Sequence, residues 1–93
     1  MWLDGAMAII SYTTVSKYEH HSAHQGIALS VGDQVIDIYK EGSQNDAPRF
    51  GYTLGTVIGF ATDNAYFTVV RWNNKTVTQT LSYHLHITRM ANR

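Results

Sequence analysis

The chain has 93 residues, no cysteine, and seven Lys plus Arg against seven Asp plus Glu, for a formal charge of zero. That length makes one domain with a modest core, and without cysteine the core carries stability with neither disulfides nor thiol chemistry. Zero net charge excludes strong long-range attraction to phosphate backbones, and no apolar run approaches the ~18 residues that span a bilayer.

The charge is split along the chain. Residues 1–46 hold two Lys against six Asp plus Glu, and residues 47–93 hold five Lys plus Arg against one Asp, giving −4 and +4. In a closed barrel the halves interleave, which gives either one mildly basic face or no coherent one, the second being slightly favoured. The opening Met1-Trp-Leu-Asp-Gly-Ala-Met-Ala-Ile-Ile lacks the basic start and long apolar run of a signal peptide, and Met7 can equally serve as a start. Absence of cysteine fits a cytoplasmic location.

Ala8-Ile-Ile-Ser-Tyr-Thr-Thr-Val15 is rich in β-branched and aromatic residues, which pack well on a pleated surface. It reads as an extra strand or extended arm. Ser16 to Gly26 is polar with no strand period, and is either a short helical turn ended by Gly26 or a loop. Residues 1–29 therefore form a β-prone arm with a histidine-containing loop, ahead of a compact unit over residues 30–93.

Val31-Gly-Asp33 is turn chemistry leading into a strand, Gln34-Val-Ile-Asp-Ile-Tyr39, with Val35 on one face and Ile36 and Ile38 on the other. Lys40 to Tyr52 reads as a long loop. Then comes the strongest pattern in the chain, a three-stranded meander. Gly55 to Ala61 is a strand whose internal glycines mark a bulge or a close backbone approach. Thr62-Asp-Asn-Ala65 is a hairpin loop with two residues that tolerate left-handed backbone. Tyr66 to Trp72 is apolar on both faces and is the expected central strand. Asn73-Asn-Lys75 is a tight hairpin, Thr76 to Leu81 alternates, Ser82 to Leu85 is one helical turn, and His86 to Arg89 is a closing strand. Leu85 and Ile87 should be core, and Met90 to Arg93 should fray.

Val31-Gly-Asp-Gln-Val35, Gly55-Thr-Val-Ile-Gly59, Val70-Arg-Trp-Asn-Asn74 and Ser82-Tyr-His-Leu-His-Ile87, in that order, resemble the SH3-like barrel superfamily in its KOW and Tudor branch. The resemblance covers about residues 30–88 and implies an all-β barrel of five or six antiparallel strands with a single helical turn before the last. It does not imply one function, because the fold hosts many unrelated sites. Its members bind nucleic acid, methylated side chains, proline-rich or other peptides, or larger complexes. A small barrel of this kind suits a gene of a mobile genetic element. The chain also shares a Gly-Asp-x-Val opening with the plasmid-borne, trimethoprim-resistant dihydrofolate reductases. Their active strand reads Val-Gln-Ile-Tyr. Here Val77-Thr-Gln-Thr80 stands in its place, with Gln79 displaced by one and hence on the opposite strand face. That argues against this enzyme activity.

A methyl-ammonium cage needs converging rings. Tyr52, Phe60, Tyr66 and Trp72 can supply them, with Asp63 as the one acidic neighbour, but core and rim packing is the expected use of these rings. His20 and His24 stand at i and i+4 and would share one face if their segment were helical, yet no Cys or Glu-x-x-His partner completes a metal site. No metal or cofactor is expected. His84 and His86 flank Leu85; one is expected on the rim and the other in solvent. Arg49, Arg71, Lys75, Arg89 and Arg93, with Tyr52, Phe60 and Trp72 as stacking platforms, are the candidates for weak KOW-like nucleic-acid binding. The leading expectation is a non-enzymatic module for protein–protein interaction. Its candidate surface is Tyr52, Phe60, Tyr66, Trp72, Arg49, Arg71 and Lys75, with Ala8–Val15 able to cross to a sister subunit and make a homodimer.

Overall fold

The structure, a computed structural model, describes residues 10–41 and 54–92. Its framework is six strands: β1 (Tyr12–Thr13), β2 (Gln34–Asp37), β3 (Gly55–Ala61), β4 (Phe67–Trp72), β5 (Val77–Leu81) and β6 (Leu85–Arg89). A four-residue helical turn, α1 (Ile38–Glu41), follows β2, and a 3-10 turn at Ser82–His84 leads into β6. All strand pairs are antiparallel. The sheet runs β5-β4-β3-β2-β6, with β1 also on β3. Among the described residues no pairing joins β5 to β6, so the sheet is open along that seam. No helix among them is long and apolar enough to cross a membrane.

β3 organises the sheet because its two halves have different neighbours. Gly55 and Thr56 pair with β2, whereas Phe60 and Ala61 pair with β1. The change coincides with a register shift against β4 between Val57 and Gly59, the bulge expected from the internal glycine. Gly59 is required there. A Cβ at this position would run into the Tyr12 ring and come within 2.8 Å of the Thr13 carbonyl. β1 therefore lies on β3 only because position 59 has no side chain.

The core gathers Val35, Val57, Phe60, Val70, Trp72, Leu85 and Ile87 from the strands with Ala23 and Leu29 from the preceding segment. Leu85 and Ile87 are buried as expected. β4 is the central meander strand, and Thr68, Val69 and Val70 are all buried. Thr68 is accommodated by a 2.6 Å hydrogen bond between its Oγ1 and the Oγ of buried Ser82, which also donates to the Tyr66 carbonyl at 3.1 Å.

Three local readings change. The strand expected over Gln34–Tyr39 ends at Asp37, because the Asp37 carboxylate accepts the Tyr39 N–H (3.0 Å) and turns the chain into α1, so Ile38 leaves the strand. In the Thr62–Ala65 loop neither Asp63 nor Asn64 is left-handed. Instead the Asn64 side chain accepts the Tyr66 N–H at 3.0 Å. In the next hairpin the left-handed residue is Lys75, at φ 76°. Last, the C-terminal end is tied down at Ala91, whose N–H donates to Asp33 Oδ1 at 2.6 Å. The same buried carboxylate accepts the Ser30 N–H at 2.9 Å, while Gly32 N–H and Asp33 C=O bond to Val57, stitching the Val31–Asp33 turn onto β3. Lys40 and Glu41 end α1. The rest of the expected Lys40–Tyr52 loop, with Arg49 and Tyr52, lies outside the described residues, as does Met1–Ala6.

Candidate binding surface

The residues expected on the surface separate into two groups. Phe60 and Trp72 are buried members of the core cluster, 2% and 5% exposed, so neither offers a face for stacking. Both rings lie on strand faces that the core covers. Gly55 makes the seat for Trp72, since a Cβ there would come within 2.6 Å of the indole ring. Tyr66 is exposed, and its ring stacks on His20 at 4.8 Å. Among the described residues Phe60, Tyr66 and Trp72 make no ring pair with one another, so the converging cage does not form from these three. Arg71 and Lys75 are exposed, and with Trp72 they line one open cavity.

The histidine segment is a loop, closed by a bridge between Ser22 and Ala28. It thus lacks the helical spacing that would align His20 with His24. The His24 backbone N–H donates to the Leu85 carbonyl at 2.7 Å. Among the described residues no three His, Cys, Asp or Glu side chains come together to hold a metal. His21, by contrast, is a core residue at 2% exposed. It stacks on Phe60 at 4.8 Å and meets Tyr18 edge-on at 5.6 Å. Its Nδ1 lies 2.7 Å from Ser16 Oγ, which is also 2.8 Å from the Tyr18 carbonyl. A carbonyl only accepts, so the hydroxyl donates to Tyr18 and His21 Nδ1–H donates to the hydroxyl. Nε2 is buried and has no close hydrogen-bond partner, with the Asn64 backbone near enough to act on the ring. Burial pushes the His21 pKa below its ordinary value; the Asn64 backbone opposes this and His20 adds to it.

A different set of residues meets at the open seam. A cavity of about 340 Å³ lies there, lined by Asp37, Trp72, Thr78, Thr80, Leu81 and His84 among others. Its surface is mostly apolar, with a short hydrogen-bonded chain along one side. Trp72 Nε1–H donates to Thr78 Oγ1 at 2.9 Å, and Thr78 bonds Thr80 at 2.9 Å. Beside the cavity stands a group of aromatic rings: Tyr39 lies 4.3 Å from His84, and Tyr83 lies 4.7 Å from His84. Tyr39 and Tyr83 are each about half exposed, at 52% and 51%. Register explains why they meet. Asp37 pairs with Leu85, so the residues just after β2 lie over those just before β6.

The other wall of the seam is the outer edge of β5. Trp72 N–H donates to the Thr76 carbonyl and Ser82 N–H to the Tyr66 carbonyl, each at 2.8 Å. With Val70 opposite Thr78 and Thr68 opposite Thr80, the hydrogen-bonded pairs fall on the even-numbered residues of β5. The backbone groups of Val77, Gln79 and Leu81 therefore point away from β4 toward the open edge. That edge carries no charged residue, no proline and no glycine from Thr76 through Thr88, so it lacks the usual guards against pairing with another chain.

His86 is half-buried, its Nε2 3.3 Å from Gln25 Nε2, and Gln25 brackets Ile87 by accepting its N–H (2.7 Å) and donating to its carbonyl (3.0 Å). Tyr12 and Thr13 pair with β3 of their own chain. Comparison of the chain with family models, with curated proteins and with solved structures finds no match in any of the three.

Proposed function

We propose that this protein is a small SH3-like binding module that acts without catalysis and grips an extended segment of a partner protein along the open seam. The observation that carries the reading is the unguarded β5 edge running beside a mostly apolar cavity and two half-exposed tyrosines. A strand added to that edge gains main-chain hydrogen bonds from Val77, Gln79 and Leu81, and its alternate side chains face the cavity. Tyr39 and Tyr83 supply large contact area with a polar tip, a combination favoured at protein interfaces.

The SH3-like assignment draws support from the connectivity. β2 pairs both with β6 and with the first half of β3, β3 to β5 form the meander, and a single 3-10 turn delivers the last strand. A non-enzymatic role is supported by the one serine–histidine contact among the described residues, Ser16 with His21, where the hydroxyl is committed to a carbonyl and the imidazole is buried. A homodimer through Ala8–Val15 is a further part of the reading. It would have to form around Tyr12–Thr13, which already pair in cis.

The test is selection of random peptides displayed on phage against the full chain, followed by binding to two variants. Gln79→Pro removes an edge N–H that does not bond β4, and Tyr83→Ala removes half of the aromatic wall. Selected peptides should lose affinity for both variants while circular dichroism shows the sheet intact. Peptides that bind both variants as tightly as the parent would refute the seam.

A further inference from the structure

A second cavity, of about 490 Å³, touches Trp72 and opens on a different set of residues. Gln34 on β2 pairs with Thr56 on β3, and Thr56 pairs with Arg71 on β4. This register places an amide, a hydroxyl and a guanidinium in one row across three adjacent strands. Asn73 and Lys75, from the hairpin that follows β4, border the same space, and Leu54 contributes to its apolar part. Among the described residues no Asp or Glu lines it.

Every polar side chain in this set can donate a hydrogen bond, and two of them are cations. Arg71 offers a planar fork suited to a carboxylate or phosphate, and Lys75 offers a point charge. Lys75 also holds a left-handed backbone at φ 76°, a conformation that glycine adopts without steric cost. A lysine kept in a strained turn beside an arginine across an open cavity is the kind of outlier from which function can be inferred. The volume falls within the range of about 300–1,000 Å³ found for small-molecule sites.

We propose that this cavity binds the oxyanion group, carboxylate or phosphate, of a small organic ligand. Arg71 and Lys75 hold the oxygens, Thr56 and Gln34 complete the donor set, and Leu54 contacts the ligand's apolar body. The site is separate from the seam and does not depend on it.

The experiment is a nuclear magnetic resonance titration of the full chain at constant ionic strength with inorganic phosphate, phenyl phosphate and benzoate. Shifts should concentrate at residues 34, 54–56 and 71–75, leaving 77–81 largely unmoved, and the two aromatic ligands should bind more tightly than inorganic phosphate. Which of those two binds more tightly distinguishes a phosphate site from a carboxylate site. Arg71→Gln and Lys75→Gln should each weaken binding by about fivefold or more, as expected for a lost charge-assisted hydrogen bond. Lys17→Gln should leave it unchanged. Lys75→Gly should weaken binding as much as Lys75→Gln while keeping a cooperative melt, which separates a lost ligand contact from a lost fold. Shifts that follow every cation alike, or that survive in both charge-removing variants, would overturn the site. So would tight, steeply salt-dependent binding of random oligonucleotides that depends equally on Arg71, Lys75 and Arg89.

Discussion

Replacing His21 by phenylalanine tests how the histidine segment is attached to the sheet. The imidazole is buried against Phe60, with Nδ1 bonded to Ser16 and Nε2 unpartnered. A buried polar atom without a partner costs about 1–3 kcal/mol, and a phenyl ring of similar shape removes that cost while keeping the stack on Phe60. The hydrogen bond to Ser16 is lost, but Ser16 is exposed and water replaces it. His21→Phe is therefore expected to be as stable as the parent at about pH 7.5, or more stable by up to about 2 kcal/mol. The larger signature is in the pH dependence. The pKa of His21 is lowered in the folded chain, so as pH falls through the ordinary histidine value the unfolded chain takes up the proton first. Stability from this group is complete above that value and is lost as pH falls toward the folded pKa, at about 1.4 kcal/mol for each tenfold difference in proton affinity. Urea unfolding of parent and variant between about pH 7.5 and pH 5 should show a gap that widens in the variant's favour as pH falls. A gap that stays constant, or that widens in the parent's favour, would refute the buried, unpartnered placement of His21.

Other substitutions probe separate joints. Gly59→Ala should destabilise by about 1–3 kcal/mol or expel β1, read as faster exchange of the amides at Tyr12 and Thr13, because the added methyl collides with the Tyr12 ring. Ser82→Ala strands the buried Thr68 hydroxyl, while the Tyr66 carbonyl keeps the backbone N–H of residue 82, and should cost about 1–3 kcal/mol in chemical unfolding. Lys75→Gly relieves a left-handed residue and should raise stability by up to about 1 kcal/mol, offset in part by the freer unfolded chain. Light scattering on the full chain and on a chain starting at Gly26 addresses the dimer: a fall from dimer to monomer mass supports the N-terminal segment as its interface, and unchanged mass refutes it.

The meander was legible because its signals are local. Alternation, the Asn73-Asn74-Lys75 turn and the glycines of β3 each act within a few residues, and the bulge fell where Gly59 stands. The order β5-β4-β3 follows from that pattern directly. The binding surface was not legible, because it depends on which residues register brings together. Trp72 and Phe60 look like recognition aromatics in a list of residues, but both pack into the core cluster. Tyr39 and Tyr83, 44 positions apart in the sequence, meet only because Asp37 pairs with Leu85. The histidine cluster misled for the opposite reason. Its three members look alike in the sequence, yet only His21 enters the core, where Phe60 provides a ring to stack on.

Amide hydrogen exchange at β5, with and without a selected peptide, tests the proposed role most directly. In the free protein the outward amides of Val77, Gln79 and Leu81 should exchange quickly and those of Thr78 and Thr80 slowly; on binding, all five should be protected. A bound peptide that leaves Val77, Gln79 and Leu81 exchanging as before would contradict strand addition at the seam.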